Sequence, residues 1–421
     1  MRIGLYLEHG VGEGVGGAEL MLADLAALWA KDHEVDLIHH RPPLTLERLA
    51  ARGDGDYRHV RIRCLPRSGP AKTPRNPVRR YIAARDWHKS VSEGYDLFVN
   101  CTHWVPCFCH ARVGVLLVLF PFFQRPDRLP EGAGRGFWKR WAYRMYSDFE
   151  WQRRIGSYTH FIAISEYARR WSQVRWNIDC EVIYPPVRVS VPLASKERLI
   201  ASVGRFSTRA HSKKQLEMMW AFRQFHQLCP GWTSASVGGL NSREENHAYF
   251  DRVRQAGEGY PIRLEANVGR ASLEDLLARS RVFWHATGFG DDTDARPELA
   301  EHFGISTVEA MAAGAVPVVI NKGAQSEIVQ HGRNGFLWNT LDELVGYSRL
   351  LAEHEGLWQR MSEAARRRAQ DFSRERFFPQ MSARCGVPTT ASPGEPSGDA
   401  GDCRVEPSLA LPLDGEVTAA R

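Results

Sequence analysis

The chain runs to 421 residues, with a formal charge of +6 and 43% hydrophobic residues. That is long for one core and suits two domains with extras. No apolar run reaches the roughly eighteen residues of a spanning helix, and a charge this mild fits anionic small ligands or a membrane surface as well as nucleic acid.

Residues 2–8 read as a short strand. The chain turns polar too soon for a signal-peptide core, so a cytoplasmic protein is expected. Residues 9–17 (HGVGEGVGG) form a glycine loop, residues 18–30 an amphipathic helix with Leu20, Leu22, Leu25 and Leu28 near one face, and residues 34–40 a second strand. Strand, glycine turn, helix and strand make a βαβ opening, which predicts a doubly wound parallel sheet. Residues 12–17 match GxGxxG, but Ile38-His39-His40 closes the second strand where a dinucleotide site needs an acid for the ribose. No Gly-Lys-Ser/Thr follows, so a Walker loop is excluded. Two readings stay open: a loop that needs positive φ angles, or one that faces a ligand between domains.

Residues 41–77 are rich in Arg, Pro and Gly and read as loops. Short apolar runs recur at 97–100, 114–120 and 161–164. Residues 137–154 (FWKRWAYRMYSDFEWQRR) interleave aromatics with Arg and Lys. Such a helix lies on an anionic membrane or a lipid-linked acceptor, or sends its aromatics into the core and its cations to solvent. No RNA- or DNA-binding module pattern is present, so no nucleic-acid partner is expected. Pro185-Pro186 break regular structure, and residues 189–196 read as a linker. The eight cysteines (64, 101, 107, 109, 180, 229, 385, 403) form no CxxC pair and no zinc spacing, and read as buried thiols.

A second βα series starts at 199–203. Gly204-Arg205-Phe206 follow, then a helix over 213–227 and strands at 234–238, 262–264, 282–285, 316–320 and 335–337. Residues 341–355 and 357–370 read as closing helices, the second with Arg366, Arg367 and Arg368 where they suit its dipole. Residues 386–421, rich in Pro, Gly, Ser and Thr, read as a disordered tail.

The most informative stretch is 297–321, PELAEHFGISTVEAMAAGAVPVVIN. Glu301 and Glu309 flank a Phe303-Gly304 turn that opens a short helix ending at Gly314, and a buried strand follows. Unpaired N–H groups and the positive dipole end make such a helix start a phosphate seat. Ionised carboxylates beside it only accept hydrogen bonds, which suits sugar hydroxyls. Arg205 and Lys213, past the first strand of the second half, are placed to grip a diphosphate, or are solvated charges. Asp292-Thr293-Asp294 matches the DxD metal motif but lies in a polar insertion and reads as a solvated loop. His285 ends a buried strand, either facing the crevice where open sheets bind ligands or serving the core. No cofactor and no metal are expected.

With these residues in view, the chain resembles the retaining nucleotide-sugar glycosyltransferases of the large group 1 family. Glu301 and Glu309, seven residues between them and Phe303-Gly304-Ile305 inside, match the family's E-x7-E motif. Gly16-Gly17-Ala18-Glu19, Ser165-Glu166-Tyr167, Tyr184-Pro185-Pro186-Val187, Val203-Gly204-Arg205 with Lys213, and the stretches 323–327 and 332–337 follow the family's order over residues 1–385. EHFGI, YPPV and GRF…HSKKQ look most like dolichol-pathway alpha-1,2-mannosyltransferases and their bacterial relatives. The resemblance implies an α/β GT-B fold: two facing Rossmann-like domains, each with a parallel sheet, and a cleft between. The expected division is 1–190 on the acceptor side, 191–370 on the donor side, 371–385 crossing back, and a tail from 386 to 421.

The resemblance also implies roles. Arg205 and Lys213 would hold the donor diphosphate, helped by Gly304 and the backbone N–H groups of Ile305, Ser306 and Thr307. Glu309 would accept from the ribose, Glu301 would contact the transferred sugar, His285 would line the donor site, and Gly16 and Gly17 would let the first domain approach the phosphates. No metal and no side-chain nucleophile are implied. The implied donor is GDP-mannose, with UDP-hexose or UDP-N-acetylhexosamine next, and the acceptor a glycan, glycolipid or natural product. One departure stands out: Leu119 occupies the place before Phe120-Pro121 where the family carries a histidine, with His103 and His110 nearby in sequence. That departure suggests, as the alternative, a degenerate nucleotide-sugar-binding or scaffold protein.

Overall fold

The structure is a computed structural model. It describes residues 1–7, 16–40, 45–50, 53, 55–65, 76–122, 137–192, 194–208 and 212–388, without the side chains of Arg48, Pro77, 137–140 and Tyr143. The glycine loop ahead of Gly16 and the stretch 389–421 therefore lie outside the described residues.

In chain order the first half contains β1 (Arg2–Leu7), α1 (Gly17–Trp29), β2 (Glu34–His39), α2 (Leu46–Ala50), β3 (Arg61–Cys64), α3 (Pro77–Ser92), β4 (Leu97–Thr102), β5 (Val113–Val118), α4 (Phe137–Ile155), β6 (His160–Ala163), α5 (Glu166–Trp176) and β7 (Glu181–Val182). The second half contains β8 (Glu197–Val203), α6 (Gln215–Leu228), β9 (Thr233–Gly238), α7 (Glu244–Ala256), β10 (Ile262–Ala266), α8 (Arg270–Arg279), β11 (Ser280–His285), α9 (Ile305–Ala312), β12 (Val316–Ile320), α10 (Gln325–Ile328), β13 (Phe336–Trp338), α11 (Leu341–Glu353), α12 (Glu355–Ala369) and α13 (Arg374–Cys385).

Among the described residues the strands form two sheets, ordered β3-β2-β1-β4-β5-β6-β7 and β10-β9-β8-β11-β12-β13. Every pairing is parallel. Parallel sheets are covered on both faces, so their central strands are apolar throughout; β12, VPVVI, is buried at every position. Each sheet reverses its winding once, between β1 and β4 and between β8 and β11. Open α/β sheets bind ligands beyond the strand carboxyl ends at such points.

α13 returns to the first half. Trp29 Nε1 donates to Ser382 Oγ at 2.9 Å, and Arg374 pairs with the buried Asp24 of α1. The packed chain continues past residue 385: Gly386 caps α13 at φ +63° and Val387 is buried. Six of the seven described cysteines are buried, but Cys64, at the end of edge strand β3, is exposed.

Candidate active site

Two glycines shape the turn after β8. A Cβ on Gly238 would lie 1.8 Å from the Gly204 carbonyl oxygen, and one on Gly204 2.4 Å from Lys213 Cγ. Gly204 therefore lies flat against the end of β9, with Lys213 close beside it. Buried Gln215 fixes the turn, its Nε2 donating to the carbonyls of Gly204 at 3.0 Å and Arg205 at 3.1 Å. Arg205 is exposed at the strand end, and among the described residues its guanidinium has no ion-pair partner.

Lys213 pairs with Glu301. His285, the last residue of β11, reaches the same carboxylate at 2.8 Å through Nε2. Burial lowers the His285 pKa against the opposing pull of Glu301. A neutral imidazole with its proton on Nε2 then donates to Glu301, and the ring is a prop behind the carboxylate. The two strand ends beside the second switch point thus meet on Glu301.

Three residues on, Gly304 adopts φ +123°, and a Cβ there would lie 2.6 Å from Gln325 Nε2. Only glycine fits, and it lets the chain turn into α9. Thr307 N and Val308 N donate back to Gly304 O at 3.0 and 3.2 Å, so Ile305 and Ser306 head the helix. Thr307 is committed to its own turn, and its hydroxyl donates to Gln325 Oε1 at 3.1 Å. Gly17 comes from the first half to this point: a Cβ on it would lie 2.6 Å from Ile305 Cδ1. Gly16 lies one residue before it and donates its N–H to Glu19 at 3.0 Å, at the start of α1.

Glu309, one turn into α9, is buried and bound to Arg270 Nη1 at 2.6 Å. Arg270 also holds Glu274 at 2.7 Å, and Arg188 reaches Glu274 at 3.0 Å. Burial pushes the Glu309 carboxyl up, and Arg270 opposes the rise. Arg270 is a neighbour the sequence did not single out; it lies 39 residues from Glu309 with no motif to connect them.

The halves are tied beside this site by contacts that the sequence did not show, several of them between the matched stretches 165–167 and 323–327. The Glu327 carboxylate accepts from Glu166 N at 2.8 Å and Tyr167 N at 2.7 Å, at the start of α5. Ser165 caps the same helix and donates to His302 O at 2.6 Å. Tyr167 OH donates to Pro297 O at 2.9 Å. Buried Arg175 binds Glu298 at 2.7 Å and Pro121 O at 2.9 Å. His302 stacks flat on Phe120, with centroids 3.9 Å apart and 5° between the planes.

Leu119 is buried next to this stack and offers it no polar group. His103 is closer to the cleft, its ring 4.8 Å from Phe122 and 6.4 Å from His302, whereas His110 takes Ser92 Oγ at its backbone N–H beyond α3. Asp292 spends its carboxylate on the N–H groups of Asp294 and Ala295, at 3.2 and 3.0 Å, as in an Asx turn. Among the described residues no three His, Cys, Asp or Glu side chains gather to hold a metal ion.

Comparison with known proteins places this arrangement in a family. Residues 186–368 match the profile of the glycosyl transferases group 1, and residues 15–191 that of glycosyltransferase family 4. The chain belongs to the group 1 glycosyltransferases. This glycosyltransferase is similar to a GDP-Man:Man(3)GlcNAc(2)-PP-Dol alpha-1,2-mannosyltransferase of Dictyostelium discoideum, 26% identical over 249 residues, 54% of this chain and 47% of that protein. It thus spans about half the length of the curated relative it matches. Its fold is GT-B. Sucrose-phosphate synthase from Thermosynechococcus elongatus superposes with TM-score 0.63 at 17% identity, covering 91% of this chain and 98% of that one. Anabaena Alr3699/HepE, solved in complex with UDP and glucose, does so with TM-score 0.59 at 18% identity, covering 92% and 99%.

Proposed function

We propose that this glycosyltransferase moves a hexose from a nucleotide-diphosphate sugar to a hydroxyl acceptor with retention and without a metal ion. The observation that carries the reading is the convergence of Lys213 and His285 on Glu301, three residues before the Gly304-capped start of α9. Donor phosphates set at Ile305 and Ser306 meet N–H groups and the positive helix end, with Arg205 and Lys213 as counter-charges. Departure of the nucleoside diphosphate builds negative charge, which these preorganised groups stabilise. Glu301 accepts from hydroxyls of the transferred sugar, with His285 holding it in place. Glu309 accepts from the ribose while Arg270 keeps its carboxylate ionised. With Arg205 and Glu309 present beside the paired Lys213 and Glu301 in sequence order, a degenerate scaffold is the weaker reading.

GDP-mannose is the proposed donor, supported by the likeness to the mannosyltransferase. UDP-hexose and UDP-N-acetylhexosamine come next, and the acceptor is a glycan, glycolipid or small natural product. We place the reaction at the cytoplasmic membrane face. No helix among the described residues is long and apolar enough to cross a membrane. On α4, however, Trp141, Met145 and Phe149 are 53, 54 and 49% exposed, one turn apart on one face. A thermal-shift panel of GDP, UDP, ADP and TDP sugars in EDTA tests the donor, since a ligand that binds only the folded state raises its melting point. A shift with GDP-mannose in EDTA is expected. A shift that appears only with added divalent metal removes metal independence, and silence across the panel removes the donor reading.

A further inference from the structure

We propose that the cleft between α12 and the turn at 330–334 is a second anion site, which takes a phosphoryl-bearing small molecule. The cleft encloses about 450 Å³, and four arginines line it: Arg360, Arg367 and Arg368 from α12, and Arg333 from the turn opposite. The three on α12 share a face by helical spacing. Leu357 and Met361 form an apolar wall, and among the described residues no carboxylate lines the cleft.

The charges do not cancel. Arg367 is bound by Glu363 at 2.5 Å, and Arg368 by Asp371 at 2.8 Å. Among the described residues, the Arg333 and Arg360 guanidiniums have neither an ion-pair nor a hydrogen-bond partner, and Arg333 is bonded only through its backbone N–H, to Gln330 O at 3.0 Å. Two uncompensated guanidiniums facing one concave volume repel each other unless an anion lies between them, and their planar forks match phosphoryl oxygens. The volume falls in the range of small-ligand pockets, roughly 300–1,000 Å³. The sequence suggested only that the basic end of α12 suits its dipole; the turn carrying Arg333 makes it one side of a pocket. None of the residues assigned to the donor lines it. Arg368 also donates to Glu327 O at 2.6 Å, so one wall is joined to the residue that caps α5 across the halves.

The test is a calorimetric titration of the full chain with sodium tripolyphosphate. The double variant R333Q/R360Q should bind about tenfold more weakly or worse, given the strength of charge-assisted phosphate contacts. A control removing two exposed arginines of α7, R252Q/R254Q, should bind as the unaltered chain does, and Arg205→Ala, which weakens polyphosphate only at the donor site, should keep the component of binding that R333Q/R360Q loses. Donor turnover should be unchanged in R333Q/R360Q. Equal binding by R333Q/R360Q and the unaltered chain overturns the site, as does a loss shared by the α7 control or confined to Arg205→Ala. Vesicles of phosphatidylcholine with phosphatidic acid then separate the two sources: if they compete with tripolyphosphate, the phosphoryl group is a lipid headgroup's, and if they do not, it is a soluble ligand's.

Discussion

Each acid of the E-x7-E pair is defined by the donors set against it. Glu301 has Lys213 and His285, and Glu309 has Arg270. Glu301→Ala should reduce turnover by about two to three orders of magnitude if its contacts tighten in the transition state. The melting temperature should fall as well, because Lys213 and His285 lose their shared partner, so turnover is compared per folded molecule; equal turnover would remove the assigned role. Glu309 gives a pH prediction. Its folded pKa is raised above the ordinary carboxylate value by burial, so it protonates earlier as pH falls. Ribose binding needs the ionised form, so donor KM should rise on acidification sooner than for an exposed glutamate. Glu309→Gln should have a high KM without that acid limb; an identical limb in the variant would assign it elsewhere. The E-x7-E pair was legible because one helical turn and one loop contain it. Arg270 was not, because its link to Glu309 exists only once α8 and α9 pack. His285 was legible as a strand end but not as a prop for Glu301.

The contacts between elements hold the halves in register. Glu327 puts a carboxylate on the start of α5, where the helix dipole favours negative charge. Arg175 and Glu298 form a largely buried ion pair across the cleft. Removing one partner of such a pair costs about 3–5 kcal/mol because the other is left unpaired. Glu298→Gln should therefore lower the melting temperature clearly, and kcat/KM with it; chemical denaturation with activity assays checks both. Lys196 offers a second test. Burial, then the charge of Arg366, pushes its pKa down to about 7, although it donates to carbonyls of Ser280 at 2.9 Å and Ala313 at 2.6 Å. Between pH 7 and the unfolded value of about 10.5, the unfolded chain holds a proton that the folded chain has released, so folding stability rises with pH there. The stability of the unaltered chain relative to Lys196→Met should therefore rise from the lower to the upper end of that window. A constant difference would mean that the carbonyls keep Lys196 charged. None of these cross-element ties could be read from the sequence: Ser165 to His302 spans 137 residues and Glu166 to Glu327 spans 161. The strands and helices could be read, because each carries its own apolar period and turn residues.

At the scale of the molecule, two parallel sheets with one winding reversal each place Gly17 against Ile305 and the strand ends on Glu301. The alternation of strands and helices made that architecture legible, whereas the approach of Gly17 to the second half was implied only by the family resemblance. Leu119 could be located in the sequence; that Phe120 stacks on His302 beside it could not. The exposed face of α4 predicts binding to anionic vesicles. Replacing Trp141, Met145 and Phe149 by Ser, or Lys139, Arg140 and Arg144 by Gln, should lower cosedimentation; unchanged cosedimentation would remove the membrane contact.

The most direct measurement is turnover of GDP-mannose in EDTA with a glycan or glycolipid acceptor, following GDP release and the anomeric form of the product, for the unaltered chain, Glu301→Ala and Arg205→Ala. The account predicts GDP release coupled to an α-linked product, and loss of both in each variant. GDP release that is equal in all three proteins, or a β-linked product, would contradict it.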